Sequence, residues 1–261
     1  MDTTQRSAHF EFGKNWESYT SLIDDGRLDA AVAGTRSLVG DLAGKSFLDI
    51  GSGSGLFSRA ALRLGAERVV AVDLDENSVA ATRKVLAAQP GDWTVLEASV
   101  FELPDRNLGT FDVVYSWGVL HHTGDLWRAL DCAARMVAPG GRFAFSLYER
   151  TPLCRLWERE KRFYSKASAP VQKTVMGAYA ALFATASVAG GRNPFRRRRR
   201  GMDAMHDIHD WLGGYPYQPT DAAEVDKALT ALGFEREYHK PVKVHLGGLF
   251  GTGCSEYVYA R

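Results

Sequence analysis

Cysteine is scarce in this chain of 261 residues: there are three, Cys132, Cys154 and Cys254, odd in number and far apart. No spacing among them suits zinc, and a disulfide framework is excluded as the source of stability. Net charge is nearly absent as well. Lys plus Arg is 32 against 31 for Asp plus Glu, so the balance of +1 supplies no global field for holding nucleic acid. No uncharged apolar run reaches the roughly 18 residues of a membrane-spanning helix. The longest, residues 175–189, is interrupted by glycine, threonine and serine. The opening residues, Met1 to Arg6, have no signal-peptide core, and the expectation is a cytoplasmic protein.

The composition is that of a folded protein, 45% hydrophobic, 11% aromatic and 24% charged, which excludes disordered and collagen-like chains. Glycine is the surplus, with 26 residues. Between residues 46 and 148 short apolar or β-branched segments alternate with helical spacing. Strands are expected at 46–50, 68–73, 93–97, 111–116 and 142–147. Helices are expected at 56–64, 76–88 and 125–136, and Pro139-Gly-Gly141 reads as a turn into the fifth strand. Such alternation predicts βαβ units in a mostly parallel, doubly wound three-layer α/β sandwich. The regularity breaks at 149–220, which reads as an insertion. It resumes with a helix at 221–232, N-capped by Thr220, and two apolar segments, 234–244 and 255–260, that can pair as antiparallel edge strands. The expected organisation is an N-terminal helical cap (1–45), a core (46–148), a substrate-side insertion or lid (149–220) and a C-terminal helix with strands completing the core (221–261).

Two features of the core point to a nucleoside ligand. Leu48-Asp-Ile-Gly-Ser-Gly-Ser-Gly-Leu56 follows a strand and opens a helix, where the backbone of glycines lets a ligand approach closely. Asp73 ends the second strand, where a carboxylate can accept both hydroxyls of a ribose. The glycine spacing, Gly51-x-Gly53-x-Gly55, departs from the dinucleotide G-x-G-x-x-G pattern, and Asp49 is awkward beside a pyrophosphate but suits a cationic ligand.

Together, Asp49 to Gly55, Val72-Asp73, Phe111 to Thr123 and Val137-Ala-Pro-Gly-Gly141 resemble a class I S-adenosylmethionine-dependent methyltransferase, in the branch that includes the ubiquinone-biosynthesis methyltransferases. The resemblance covers residues 45–148. It implies a Rossmann-like sheet of seven strands with the last antiparallel, and S-adenosyl-L-methionine as cofactor. Carried over position by position, it places Gly51, Ser52, Gly53, Gly55 and Leu56 beside the amino-acid part of the cofactor, with Asp49 orienting its ammonium. Asp73 would bind the ribose and Leu74 would pack on the adenine. Ser99, followed by Val100, falls where many relatives have an aspartate contacting the adenine amine. Ser116 and Trp117 would lie under the methionine portion, and Phe12-Gly-Lys-Asn-Trp16 resembles a helix that lids the cofactor in some relatives, through Phe12 and Trp16.

Candidate acceptor-side residues lie outside the glycine turn. His121 and His122 follow the fourth strand, at the edge where chemistry sits in such sheets; His121 is a candidate base or substrate contact and His122 a substrate contact. The segment Met205-His-Asp-Ile-His-Asp-Trp-Leu-Gly-Gly-Tyr-Pro-Tyr217 reads as a substrate lid or a structural knot. In the lid reading His206, Asp207, His209 or Asp210 is a base, and Trp211, Tyr215 and Tyr217 are pocket walls. His206, His209 and Asp210 also carry a metal-like spacing, although no metal is expected. Arg192 and Arg196 to Arg200, next to the apolar 175–189 stretch, read as an ordinary surface, an anionic-substrate contact or a peripheral contact with an anionic membrane. The expected activity is methyl transfer to an oxygen or nitrogen of a small-molecule acceptor, lipid-linked or a secondary metabolite. An NAD-dependent oxidoreductase and a non-catalytic cofactor-binding protein of the same fold are the alternatives.

Overall fold

The structure is a computed structural model that describes residues 23–189, 191, 204–244 and 246–261. The seven strands are β1 (Ser46–Ile50), β2 (Arg68–Asp73), β3 (Asp92–Glu97), β4 (Phe111–Trp117), β5 (Val137–Tyr148), β6 (Glu235–Lys240) and β7 (Cys254–Ala260). They form one sheet in the order β3-β2-β1-β4-β5-β7-β6. Pairing is parallel from β3 through β5, while β7 runs antiparallel between β5 and β6. The expected three-layer sandwich with an antiparallel last strand is therefore the observed one.

The strand period places the layers. Leu48 and Ile50 of β1 point to one face, where they meet α4 (Leu126–Arg135) and α8 (Ala222–Ala231) through Leu130, Ala133, Val225 and Leu229. Phe47 points to the other face, against α1 (Asp25–Val39) and α2 (Leu56–Arg63). Farther along the sheet, α3 (Glu76–Leu86) closes that same face with Val79 and Leu86 on Ala71 and Val95. Burial on both faces explains why these strands read as continuous apolar runs. Three further helices, α5 (Cys154–Lys166), α6 (Ala169–Ala189) and α7 (Ala204–Gly213), occupy the stretch expected as an insertion. They gather against Tyr148, the last residue of β5, through Trp157, Tyr164, Ile208 and Leu212.

Two local expectations are corrected. β5 begins at Val137 and not at Arg142, so Pro139-Gly-Gly141 turns the chain inside its bounds: the step from Phe111 to Val113 in β4 is matched by the step from Val137 to Arg142 in β5, and Gly140 has φ 76°. Gly141 makes this excursion feasible, because a Cβ there would stand 2.9–3.0 Å from the carbonyl oxygens of Ala138, Asp112 and Phe111. The cap of α8 is Asp221, not Thr220. Asp221 accepts from the Glu224 amide at 3.0 Å and Glu224 accepts from the Asp221 amide at 3.4 Å, a capping box that the Thr220 hydroxyl reinforces at 2.8 Å.

Replacing Gly141 with Ala forces a methyl against three backbone carbonyls that cannot swing aside. The expected loss of stability is about 1–3 kcal/mol, measurable as a lowered urea midpoint with an unchanged slope.

Candidate active site

The carboxyl ends of β1, β2 and β4 converge on one turn. Gly51, Gly53 and Gly55 all have positive φ (76°, 53° and 76°), which glycine adopts without steric cost. At Gly51 a Cβ would meet Val119 Cγ2 at 2.3 Å, and at Gly55 it would meet the Thr82 backbone at 2.9 Å. The turn is held by amides of Gly51 and Ser52 donating to the Val72 carbonyl, at 2.7 and 3.1 Å. Ser52 is buried with its hydroxyl 3.0 Å from that of Thr82, and Thr82 donates to the Gly53 carbonyl at 3.1 Å. Gly55 starts α2 with no side-chain cap, while Leu56 is buried against Leu28 and Ala31 of α1.

Two carboxyls face this turn. Asp49 shares the α2 face of β1 with Phe47 and accepts from Ser58 Oγ at 2.6 Å. It is buried with no cation beside it among the described residues, and burial, more than the nearby Asp73, pushes its pKa up to about 7. Asp73 accepts from the Gly53 amide at 2.9 Å and the Asp75 amide at 3.0 Å. Burial raises its pKa to about 6, against the lowering effect of those amides. A buried carboxyl short of a positive partner fits the ammonium of an amino-acid cofactor. An acid fixed by two amides at the end of β2 retains lone pairs for ribose hydroxyls. The S-adenosylmethionine moieties implied by the sequence thus meet side chains of suitable chemistry.

The remaining cofactor candidates are placed as follows. Leu74 is half-buried just past β2. Ser99 is buried and caps the 3-10 turn Val100–Asp105, accepting from the Phe101 amide at 3.4 Å, and Val100 is buried in the core. Ser116 is fully buried and donates to the Ile50 carbonyl at 3.1 Å, so its hydroxyl ties β4 to β1. Trp117, at the end of β4, stacks on Tyr115 with ring centroids 5.4 Å apart. Phe12 and Trp16 lie outside the described residues, as do Arg192 and Arg196 to Arg200.

Past β4, the 3-10 turn Leu120–His122 carries both histidines inward. His121 is fully buried, and its Nδ1 accepts the Tyr148 backbone amide at 3.3 Å. Its Nε2 is buried without a partner among the described residues. Burial first, then His122 and Lys161, hold its pKa well below the usual imidazole range. His122 Nδ1 donates to the Pro216 carbonyl at 2.7 Å, so the Gly213–Tyr217 segment docks directly on the β4 turn. The docking is completed by the Gln218 amide on the His121 carbonyl at 3.1 Å.

The helices beyond β5 build an aromatic cluster against the same place. Tyr148 lies 3.9 Å from the His121 ring centroid, 5.3 Å from Trp211 and 5.4 Å from Tyr217. In its midst sits Lys161, fully buried, donating to the Trp211 carbonyl. Its ammonium stands 3.6 Å from the Trp211 ring centroid and 5.3 Å from that of Tyr217. Burial drives the Lys161 pKa down and that of the adjoining Glu160 up. The Tyr217 hydroxyl lies 3.3 Å from both Cys154 Sγ and Thr252 Oγ1, donating its one proton to the sulfur and accepting from the threonine hydroxyl.

Of the expected lid residues, Trp211 and Tyr217 belong to the cluster, and Tyr215 is half-buried. His209 pairs through Nδ1 with the Tyr164 hydroxyl at 2.8 Å, and Asp210 is half-buried on α7. The backbone of His206 and Asp207 lies in α7, while their side chains fall outside the described residues. Among the described residues no group of three or more His, Cys, Asp or Glu could hold a metal. No described helix is long and apolar enough to cross a membrane. Lys161, Tyr148, Trp157 and Ser58 went unnoticed in the sequence. The signal for Lys161 was available: Cys154, Trp157, Lys161 and Tyr164 fall on one face of α5, and a lysine in such a stripe is anomalous.

The strand order with an antiparallel seventh strand, and the acid-flanked glycine turn at its switch point, define the class I S-adenosylmethionine-dependent methyltransferase fold. Residues 48–145 match the family model described as "Methyltransferase domain". Residues 48–145 thus carry a methyltransferase domain, set in the fold of the class I S-adenosylmethionine-dependent methyltransferases. A ubiquinone biosynthesis O-methyltransferase from Xanthomonas oryzae is 37% identical over 114 residues, 43% of this chain and 46% of that protein. The chain thus spans about half the length of the curated relatives it matches. An S-adenosylmethionine-dependent methyltransferase from Mesorhizobium loti superposes with a TM-score of 0.54 at 20% identity, over 90% of this chain and 100% of that one. The magnesium protoporphyrin IX methyltransferase from Synechocystis, solved with S-adenosylhomocysteine, gives a TM-score of 0.52 at 17% identity, over 100% and 88%. These two likenesses establish the fold.

The raised acids have a measurable sign. Unfolded, both titrate near 3.8; folded, Asp73 titrates at about 6 and Asp49 at about 7. The folded state then holds more protons between those values, so these two groups lower stability as pH rises from about 4 to about 7 and add no slope outside that window. In unliganded protein, the melting temperature of wild type relative to Asp49→Asn should fall across this interval. An unchanged difference from pH 4 to 7 would contradict the burial of an unpaired carboxyl.

Proposed function

We propose that the protein transfers the methyl group of S-adenosylmethionine to an oxygen of a small-molecule acceptor. The single observation that carries this reading is the pair Asp49 and Asp73 about one glycine turn, a buried acid for the ammonium and a fixed acid for the ribose. The same pair disfavours NAD, because a buried acid at the turn opposes the close approach of a pyrophosphate. The sulfonium methyl is already activated, so the protein's contribution is alignment, which is worth roughly 7–11 kcal/mol in favourable cases.

The aromatic cluster of Tyr148, Trp211 and Tyr217 beside His121 is the proposed acceptor side. Oxygen is favoured over nitrogen because the relatives matching the core are named O-methyltransferases. A lipid-linked acceptor is the finer form of the reading, supported by the exposed Leu182 and Val188 on α6.

Calorimetric titration should show binding of S-adenosylmethionine and none of NAD(H). Asp73→Ala should weaken binding at least tenfold, since two charge-assisted hydrogen bonds are lost at about 1.5–3 kcal/mol each. Incubating metabolite extracts with isotopically methyl-labelled cofactor should yield a labelled product by mass spectrometry. Tight cofactor binding with no labelled product from any extract would favour the non-catalytic alternative.

A further inference from the structure

The outer face of α5 carries charge and apolar surface that the fold does not use. Trp157, Lys161 and Tyr164 turn inward to the aromatic cluster. On the opposite face Arg155, Arg159, Arg162 and Lys166 recur at steps of four, three and four residues, which makes one stripe along a helix. All four are exposed, and among the described residues none of them pairs with an acid. Beside the stripe stand Leu156 and Phe163, two helical turns apart and 57% and 59% exposed, so more than half of each large apolar side chain lies in water. The exposed acid of α5, Glu158, borders the stripe on the side away from these two.

α6 continues this surface. Gln172 Nε2 donates to the Tyr164 carbonyl at 3.0 Å, and Trp157 meets Tyr179 with ring centroids 6.0 Å apart. The two helices thus pack side by side on the same cluster, and their outer faces both turn away from it. Of the 21 residues of α6, Lys173 alone is charged. The exposed positions include Val171, Ala178, Leu182 and Val188. An exposed helix face ordinarily carries charged or polar residues. Here a long uncharged face lies next to a basic one.

We propose that the outer faces of α5 and α6 form a docking surface for a membrane of anionic lipid. The stripe supplies the charge complementary to acidic headgroups. Leu156, Phe163, Leu182 and Val188 enter the boundary between headgroups and acyl chains, as the apolar face of an interfacial helix does. Each basic side chain near such a surface strengthens binding roughly fivefold. A nucleic acid would match the stripe and leave Leu182 and Val188 in water, so the apolar half of the surface favours lipid. The membrane then lies on the far side of α5 from Lys161 and Tyr148, with one helix between it and the proposed acceptor side. This inference goes beyond the methyl-transfer reading and does not depend on it.

Flotation of the full chain with vesicles tests it, with neither cofactor nor acceptor present. The chain should rise with vesicles of phosphatidylcholine mixed with phosphatidylglycerol and remain behind with phosphatidylcholine alone, and added salt should weaken the binding. The pair Arg159→Glu and Arg162→Glu should weaken it at least roughly 25-fold, fivefold for each lost charge. The pair Phe163→Gln and Leu182→Gln should weaken it roughly tenfold or more, because two large apolar side chains no longer enter the boundary. These positions are exposed, so both variants should melt at the wild-type temperature, which separates lost docking from lost folding. A third variant replaces Arg196 to Arg200 by serine. Binding lost in that variant while the helix variants bind as wild type would overturn the assignment to α5 and α6. Failure of wild type to float with the mixed vesicles, or equal flotation with phosphatidylcholine alone, would overturn the proposal outright. A dimer in sedimentation velocity that the helix variants dissolve would overturn it too, in favour of a second copy of the chain.

Discussion

Where β1 and β4 end, their two turns cross with no room for a side chain between them. Gly51 lies so close to Val119 that even a Cβ would fall within 2.3 Å of it. That contact locks the glycine turn to the turn after β4, and the rest of the site is arranged around it. On one side stand Asp49 and Asp73, on the other His121 and His122. The parallel register brings these residues to one edge of the sheet, since β1 pairs with β2 on one side and β4 on the other.

The site carries groups that a stable core would avoid. Among the described residues, a buried carboxyl without a cation, a buried imidazole nitrogen without a partner and a buried lysine each oppose folding. A single unsatisfied polar group of this kind costs about 1–3 kcal/mol. The sheet offsets them with apolar burial on both faces, from Phe47, Val69 and Val113 on one side to Leu48, Val70 and Val114 on the other. Perturbed, buried polar groups concentrate at functional sites, which is why this edge of the sheet carries the proposed one. Lys161 shows a different resolution, with its charge spread over the carbonyl and ring of Trp211 and the ring of Tyr217.

The core was largely legible because its signals are local. Arg68-Val-Val-Ala-Val-Asp73 and Phe111-Asp-Val-Val-Tyr-Ser116 read as buried strands from composition alone, and glycines after β1 mark a turn that needs positive φ. The two acids of the glycine turn were legible for the same reason, since Asp49 is the last residue but one of β1 and Asp73 ends β2. The misreadings have local causes too. Gly140 and Gly141 looked like punctuation, yet Gly141 serves a close approach of carbonyls from three residues, two of them in another part of the chain. Thr220 lost the cap to Asp221 because Glu224 lies three residues beyond Asp221 and can reciprocate.

The proposed acceptor side is a product of tertiary structure. Hydrophobic periodicity and glycine placement are properties of neighbouring residues, so they specified the alternating sheet and the position of its ligand edge. The aromatic cluster unites Tyr148 of β5, Lys161 of α5 and Trp211 of α7 with Tyr217 beyond it, residues that no short-range rule connects. The opposite hydrogen bonds at Nδ1 of His121 and His122 are another case. In sequence the two are the same residue twice. They differ only because one meets the amide of Tyr148 and the other the carbonyl of Pro216, partners 27 and 94 positions away. A proton's place on an imidazole follows from what faces each nitrogen, and that is settled only when distant segments of the chain have packed together.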